Sequence, residues 1–175
     1  MKIFSDYLKV ILINEGGAKY TDVIGDPGRG TKYGVSDAAD GKIDGLIDID
    51  RDGIGDIKVQ DLTLEQATEV YQKFYWNLLH IDKITNEDLK LHIFDMGVNA
   101  GYKTAIKLLQ YALKIPTDGV CGNKTITATN NYKNNIINDY KKERIKYYYN
   151  LTIINPVLKK FLQGWLNRVD HLKFI

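Results

Sequence analysis

The 175-residue chain has one cysteine, Cys121, so no disulfide can form within it and the fold must stand on its core. Cys121 lies in a Gly-Val-Cys-Gly turn, and no histidine is placed by sequence to activate it, which marks it as packing rather than a nucleophile. Histidine is scarce too: His80, His92 and His171 lack the mutual spacing of zinc ligands. No segment approaches the roughly 20 apolar residues that a membrane span requires. The first residues, Met1-Lys2-Ile3-Phe4-Ser5-Asp6, break the apolar continuity of a secretory signal, so synthesis in the cytoplasm without a signal peptide is expected.

What remains is ordinary for a globular chain: 44% hydrophobic and 26% charged residues, enough for one domain or two closely packed lobes. Charge is unevenly shared. Residues 1–100 hold 11 Lys/Arg against 18 Asp/Glu, a net of −7, whereas residues 101–175 hold 13 against 4, a net of +9. A cationic second half suits an anionic polymer or is simply a solvated lysine-rich face. Its lysines are scattered along helices with no recognisable nucleic-acid module, so nucleic acid is not expected as a partner.

Phe4, Tyr7, Leu8 and Ile11 recur at the spacing of a helix stripe, and the next place on that stripe is Glu15, followed by Gly16-Gly17 to end the helix. A carboxylate there lies among apolar side chains and at the negative end of the helix dipole. Both favour the uncharged acid, which can donate a proton to a leaving oxygen. The alternative is a last helical turn that reaches water. Beyond a Gly/Asp-rich stretch over 17–61 with room for a short hairpin, Thr63 and Gln66 form a capping box for a helix to about Leu79. Asn86 caps another through Asn99. A third spans Tyr102 to Lys114, with Ala105, Ile106, Leu108, Leu109 and Leu113 inward. Helical segments cover about 123–150, and after Asn155-Pro156 the spacing of Leu158, Phe161, Leu162, Trp165, Leu166 and Val169 gives a final amphipathic helix.

The run Glu15-Gly16-Gly17 with Asp26-Pro27-Gly28-Arg29-Gly30 and Thr31-Lys32-Tyr33-Gly34-Val35 resembles the signature of the phage and bacterial muramidases of glycoside hydrolase family 108. Arg29 between the glycines, Val35 for isoleucine and a longer gap after Glu15 are departures. Further matches follow in order: Ala67, Tyr71, Tyr75-Trp76, Phe94-Asp95, Val98-Asn99, Gly101, Leu109-Gln110, Asp118-Gly119, Gly122, Thr125, Arg144, Tyr148, Gly164-Trp165 and Arg168. The later half, with its Leu-Gln and Asp-Gly-x-x-Gly-x-x-Thr pattern, looks like the peptidoglycan-binding segment that accompanies this catalytic part.

The resemblance implies a mainly α, lysozyme-like fold with a small loop and hairpin region. Residues 1–93 would form the catalytic part, including an acidic loop at 36–61, and residues 94–175 a helical peptidoglycan-binding lobe. It implies a peptidoglycan hydrolase, an N-acetylmuramidase of the endolysin type that cuts the MurNAc–GlcNAc bond with Glu15 as general acid. A lytic transglycosylase making 1,6-anhydro ends and a noncatalytic wall-binding module are the alternatives. A monomer is expected, reaching the wall through a holin or a secretion system.

Glycoside hydrolysis usually needs a second polar group to position water or steady the oxocarbenium-like transition state. The order Glu15, Asp26, Thr31 is similar to the catalytic set of phage lysozymes, although Asp26-Pro27-Gly28 is also a good turn, and Asp22 is a reserve. Tyr33, Tyr75 and Trp76 are candidate sugar-stacking residues or core. Asp95 and Asn99, four apart on one helix face, either reach substrate or bridge helices as a buried polar pair.

Asp48, Asp50, Asp52 and Asp56 place carboxylates at positions 1, 3, 5 and 9 of an EF-hand-like loop, with Gly53 at 6 and the Ile54 carbonyl at 7. Val59 stands where the bidentate carboxylate belongs, and neither Asp44 nor Asp61 is in register to replace it. A structural calcium ion or a solvated acidic loop is expected, with no cofactor required for catalysis.

Overall fold

The computed structural model describes residues 2–15, 17–22 and 29–174. The chain forms two compact units, Ile3–Asn77 and Leu78–Ile175 with Met1–Lys2. No helix among the described residues is long and apolar enough to cross a membrane.

In the N-terminal unit, α1 (Phe4–Asn14) buries Tyr7, Leu8 and Ile11 of the stripe its spacing predicts, and Val10 besides, while Phe4 is half-buried. Asp6 caps its start by accepting the Ile3 amide at 3.0 Å. Two short antiparallel hairpins follow. β1 (Thr31–Lys32) pairs with β2 (Val35–Ser36), and β3 (Leu46–Ile47) pairs with β4 (Ile57–Lys58). The first turn, Tyr33-Gly34, has φ of 52° and 75°, the two left-handed residues that a tight type I′ connection demands. An isolated bridge between Thr21 and Thr31 lays the preceding segment beside β1.

The expected capping box is present at α2 (Leu64–Tyr71): Thr63 Oγ1 accepts the Gln66 amide at 3.2 Å, and Gln66 Oε1 accepts the Thr63 amide at 2.9 Å. The helix then departs from regularity in a π-helical turn, Gln72–Trp76, before α3 (Asn77–Leu79). Such turns rotate the side chains that follow out of the 3.6-residue register.

The C-terminal unit is helical throughout. In α4 (Glu87–Ala100) every residue from Leu89 to Gly97 is buried, so this helix is surrounded rather than amphipathic. It packs on α5 (Tyr102–Leu113) and α7 (Ile136–Ile154), with α6 (Asn123–Asn130) beside α5 and α8 (Lys159–His171) against α7. This packing is why the compact units part between Asn77 and Leu78, whereas the expected boundary followed residue 93. The α8 stripe is less buried than its spacing suggests: Val169 is enclosed, but Phe161 is 47% exposed.

Candidate active site

Glu15 sits at the C-cap of α1, half-buried, with its amide on the carbonyls of Ile11 and Leu12 at 3.1 and 3.3 Å. The β1–β2 turn closes over it. A Cβ added at Gly34 would lie 2.5 Å from both the Glu15 Cβ and the Tyr71 hydroxyl oxygen, so glycine is required there by contact as well as by its φ. The turn is tied down at two points: the Tyr33 amide donates to the Gly17 carbonyl at 3.0 Å, and the Tyr71 hydroxyl donates to the Tyr33 carbonyl at 3.1 Å. Tyr75 follows Tyr71 with ring centroids 5.7 Å apart. Burial first, then the nearby Glu15 carboxylate, raise the Tyr75 phenol above its ordinary pKa, against the pull of Arg51. The site is thus a half-open carboxyl between a tight turn and two tyrosines.

Of the other sequence candidates, Thr31 starts β1 half-buried, its Oγ1 3.5 Å from the Arg29 carbonyl and its backbone paired with Thr21. Tyr33 is half-buried at the turn beside Glu15, with the Lys32 ammonium 5.7 Å from its ring centre. Asp26 lies outside the described residues. Trp76 takes the core alternative: it is 8% exposed, with its ring 4.8 Å from Tyr7 and 5.5 Å from Phe4, and it offers no platform to a sugar. Gly34 and Tyr71, present in the family signature but unassigned by sequence reasoning, hold Glu15 in place. Their role depends on a contact between segments that spacing along the chain cannot display.

The acidic loop folds back on itself between β3 and β4. Asp48, 5% exposed, accepts the amides of Asp52 and Gly53 at 3.1 and 2.8 Å, and Asp56 Oδ2 accepts the Ile49 amide at 2.7 Å. Asp48, Asp50 and Asp56 bring a carboxylate oxygen each within 4.8 Å of one another. Asp52 stands outside that trio and accepts the Ile54 amide at 2.8 Å. Val59, in the twelfth place, is a core residue at 2% exposure and has no side-chain oxygen to offer.

In the other unit Asp95 also takes its structural alternative. It has no exposure, and both oxygens are occupied: Arg144 donates to Oδ2 at 2.5 Å and Arg168 to Oδ1 at 2.7 Å. A carboxylate so enclosed cannot meet a glycan. Asn99, one turn on, is exposed and accepts the Tyr148 hydroxyl at 3.1 Å. Arg144 also lies 3.0 Å from His92 Nδ1, which must accept because guanidinium has only donors. Burial above all, and then the Arg144 and Lys141 charges, push His92 down to about 3.

The Leu-Gln and Asp-Gly-x-x-Gly-x-x-Thr pattern has a physical basis. Buried Gln110 shares the two N–H groups of Nε2 among Asp118 Oδ1, the Val120 carbonyl and Thr125 Oγ1 at 2.6, 3.1 and 3.2 Å, while its Oε1 accepts the Gly119 amide at 2.9 Å. One amide side chain fixes the turn between α5 and α6. Gly119, at φ 77°, passes so near α5 that a Cβ would lie 3.3 Å from the Lys103 carbonyl.

The pattern of matches to known proteins agrees with this arrangement. The family described as Glycosyl hydrolase 108 matches residues 8–101, more than half of the chain, and the Predicted Peptidoglycan domain matches residues 104–170. A solved structure, that of Brucella abortus SagA, is 28% identical with a TM-score of 0.76, covering 95% of this chain and 89% of that one. No curated protein sequence matches. The family matches meet near Gly101, so α4 falls with the first family by sequence although it packs among the later helices. The chain belongs to the glycosyl hydrolase 108 family: it is a mainly α, lysozyme-like glycoside hydrolase acting on peptidoglycan.

Proposed function

We propose that Glu15 is the general acid of an N-acetylmuramidase that cuts the MurNAc–GlcNAc linkage. The observation that carries this reading is the half-buried Glu15 carboxyl held between the Gly34 turn and the Tyr71–Tyr75 pair. Its proton passes to the bridging oxygen as the C1–O bond breaks, and water then adds at C1 and gives up a proton to a second group. Asp26 and Thr31 are proposed for that second role, on their order after Glu15 and on Thr31 opening the strand that runs to the Gly34 turn. Tyr33 and Tyr75, both half-buried near Glu15, are proposed to stack against sugar faces.

The test is Glu15→Gln, which keeps the shape and removes the donor. Lysis of sacculi is expected to fall by about 10²- to 10⁴-fold with the melting temperature retained. A folded variant with full activity overturns the assignment. Mass spectrometry of the digest is expected to find reducing muramic ends; 1,6-anhydro ends would make the enzyme a lytic transglycosylase.

A structural Ca²⁺ belongs to the same proposal. Asp48, Asp50 and Asp56 would hold it, with oxygen donors of the kind that ion prefers, and its part would be to stiffen the β3–β4 loop.

A further inference from the structure

The β1–β2 hairpin has a second end. Its turn presses on Glu15, while at its open end the Asp37 amide donates to the Gly30 carbonyl at 2.8 Å. Gly30 and Asp37 there line a cavity of about 570 Å³ within the N-terminal unit, walled also by Tyr20, Asp44 and Lys58. That volume lies within the roughly 300–1,000 Å³ typical of small-ligand sites. Three residue steps, across the two residues of β2, separate Gly34 from Asp37, which at about 3.3 Å each puts the cavity on the order of 10 Å along the hairpin from the Glu15 contact.

The cavity is charged with both signs, and several of its charges are unspent. Asp37 is only 5% exposed; one oxygen accepts the Gly45 amide at 2.8 Å, and the other, which bonds no described residue, is not sealed from solvent. Asp44 gives one oxygen to the Leu46 amide at 3.1 Å and keeps the other. The Lys58 ammonium has no hydrogen bond or ion pair among the described residues, and Arg29 stands 3.9 Å from Asp22 in a loose, exposed pair.

We propose that this cavity seats the peptide stem of peptidoglycan, an inference that rests on the reading of this unit as a peptidoglycan hydrolase. The glycan backbone is a chain of N-acetylated sugars whose lactyl carboxyl is already amidated by the stem, so it offers no charge for these groups to recognise. The stem offers both signs: free carboxylates for Lys58 and Arg29, and amide N–H groups or a diamino-acid ammonium for Asp37 and Asp44. Three extended residues span about 10 Å, the reach from a muramic residue at Glu15 to the open end of the hairpin. The site would therefore select peptide-bearing strands over bare ones.

Lys58 is exposed and its side chain is outside the core, so Lys58→Ala is expected to fold. Wild type, Lys58→Ala and Asp44→Asn are compared on intact sacculi and on glycan strands stripped of peptide by an amidase. On intact sacculi the variants are expected to raise KM by about five- to tenfold with kcat unchanged, while on stripped strands they match wild type. Equal losses on both substrates, or no loss on either, overturn the proposal. A synthetic stem tetrapeptide titrated into Glu15→Gln protein separates this inference from the chemistry. Saturable binding that Lys58→Ala weakens supports the stem site whether or not Glu15 proves to be the acid, and absence of binding sinks it while leaving the glycosidase reading intact.

Discussion

Glu15 and Asp95 are both carboxylates on helices, one in each compact unit, and their surroundings make opposite use of them. Asp95 is sealed, with an arginine on each oxygen and no exposure to water. Its oxygens are held by partners that a substrate cannot displace. Glu15 is half open, bordered by the Gly34 turn and by the Tyr71 and Tyr75 side chains. The difference teaches that placing a carboxylate on the inward side of a helix says little by itself; the groups that meet it decide whether it holds helices together or remains available for chemistry.

The comparison can be broken by exchanging which property each carboxylate controls. Glu15→Gln should cost about 10²- to 10⁴-fold in lysis and almost nothing in stability, whereas Asp95→Ala should cost about 3–5 kcal/mol in stability by denaturant titration, because buried Arg144 and part-buried Arg168 lose their counterion. An Asp95→Ala protein that melts like wild type would erase the distinction. Next in size is the acidic loop: EDTA should lower the melting temperature, and calcium at a hundredfold excess over its dissociation constant should restore about 2.7 kcal/mol. No shift on either treatment would leave a solvated loop. Gly34→Ala should lose about 2 kcal/mol, from the left-handed φ and the overlap with Glu15, and should lower activity further than that loss of folded protein explains. Equal activity per folded molecule would separate the turn from the acid.

The effect that is smallest at neutral pH sharpens the comparison from the C-terminal side. His92 is held neutral in the fold at about 3, and it regains an ordinary histidine value near 6.5 when unfolded. Between those values the unfolded chain binds a proton that the folded chain refuses. Stability present above pH 6.5 is therefore lost as pH falls, by about 1.4 kcal/mol for each unit down toward pH 3. His92→Asn should flatten that slope in pH-dependent melting; an unchanged slope would assign the acid sensitivity to other groups.

What the sequence displayed were local devices. The stripe Tyr7, Leu8, Ile11, the reciprocal capping of Thr63 and Gln66, the Asn86 cap on the Leu89 amide and the inner face of α5 all depend on residues a few places apart. The family signature named Glu15 and Gly34, whose segments meet in the fold. Long-range consequences were not displayed. The arginines on Asp95 lie 49 and 73 residues away, and no spacing rule connects them. The π-helical turn at Gln72–Trp76 has no breaker residue to announce it, so Tyr75 and Trp76, adjacent in sequence, part company: one faces the acid and the other the α1 core. The boundary between units likewise follows from α4 being wrapped by its neighbours.

The Asp95 trio also sets terms for anyone recombining this enzyme with its relatives. Its members come singly from α4, α7 and α8, so a chimera that imports one of those helices without its matching arginine or aspartate strands a charge in the interior. Replacing all three with apolar side chains of similar volume can be close to neutral, whereas each step alone is severe. Grafts of the wall-binding part should therefore carry α4 through α8 as one block, even though a sequence-based cut at residue 101 would look natural.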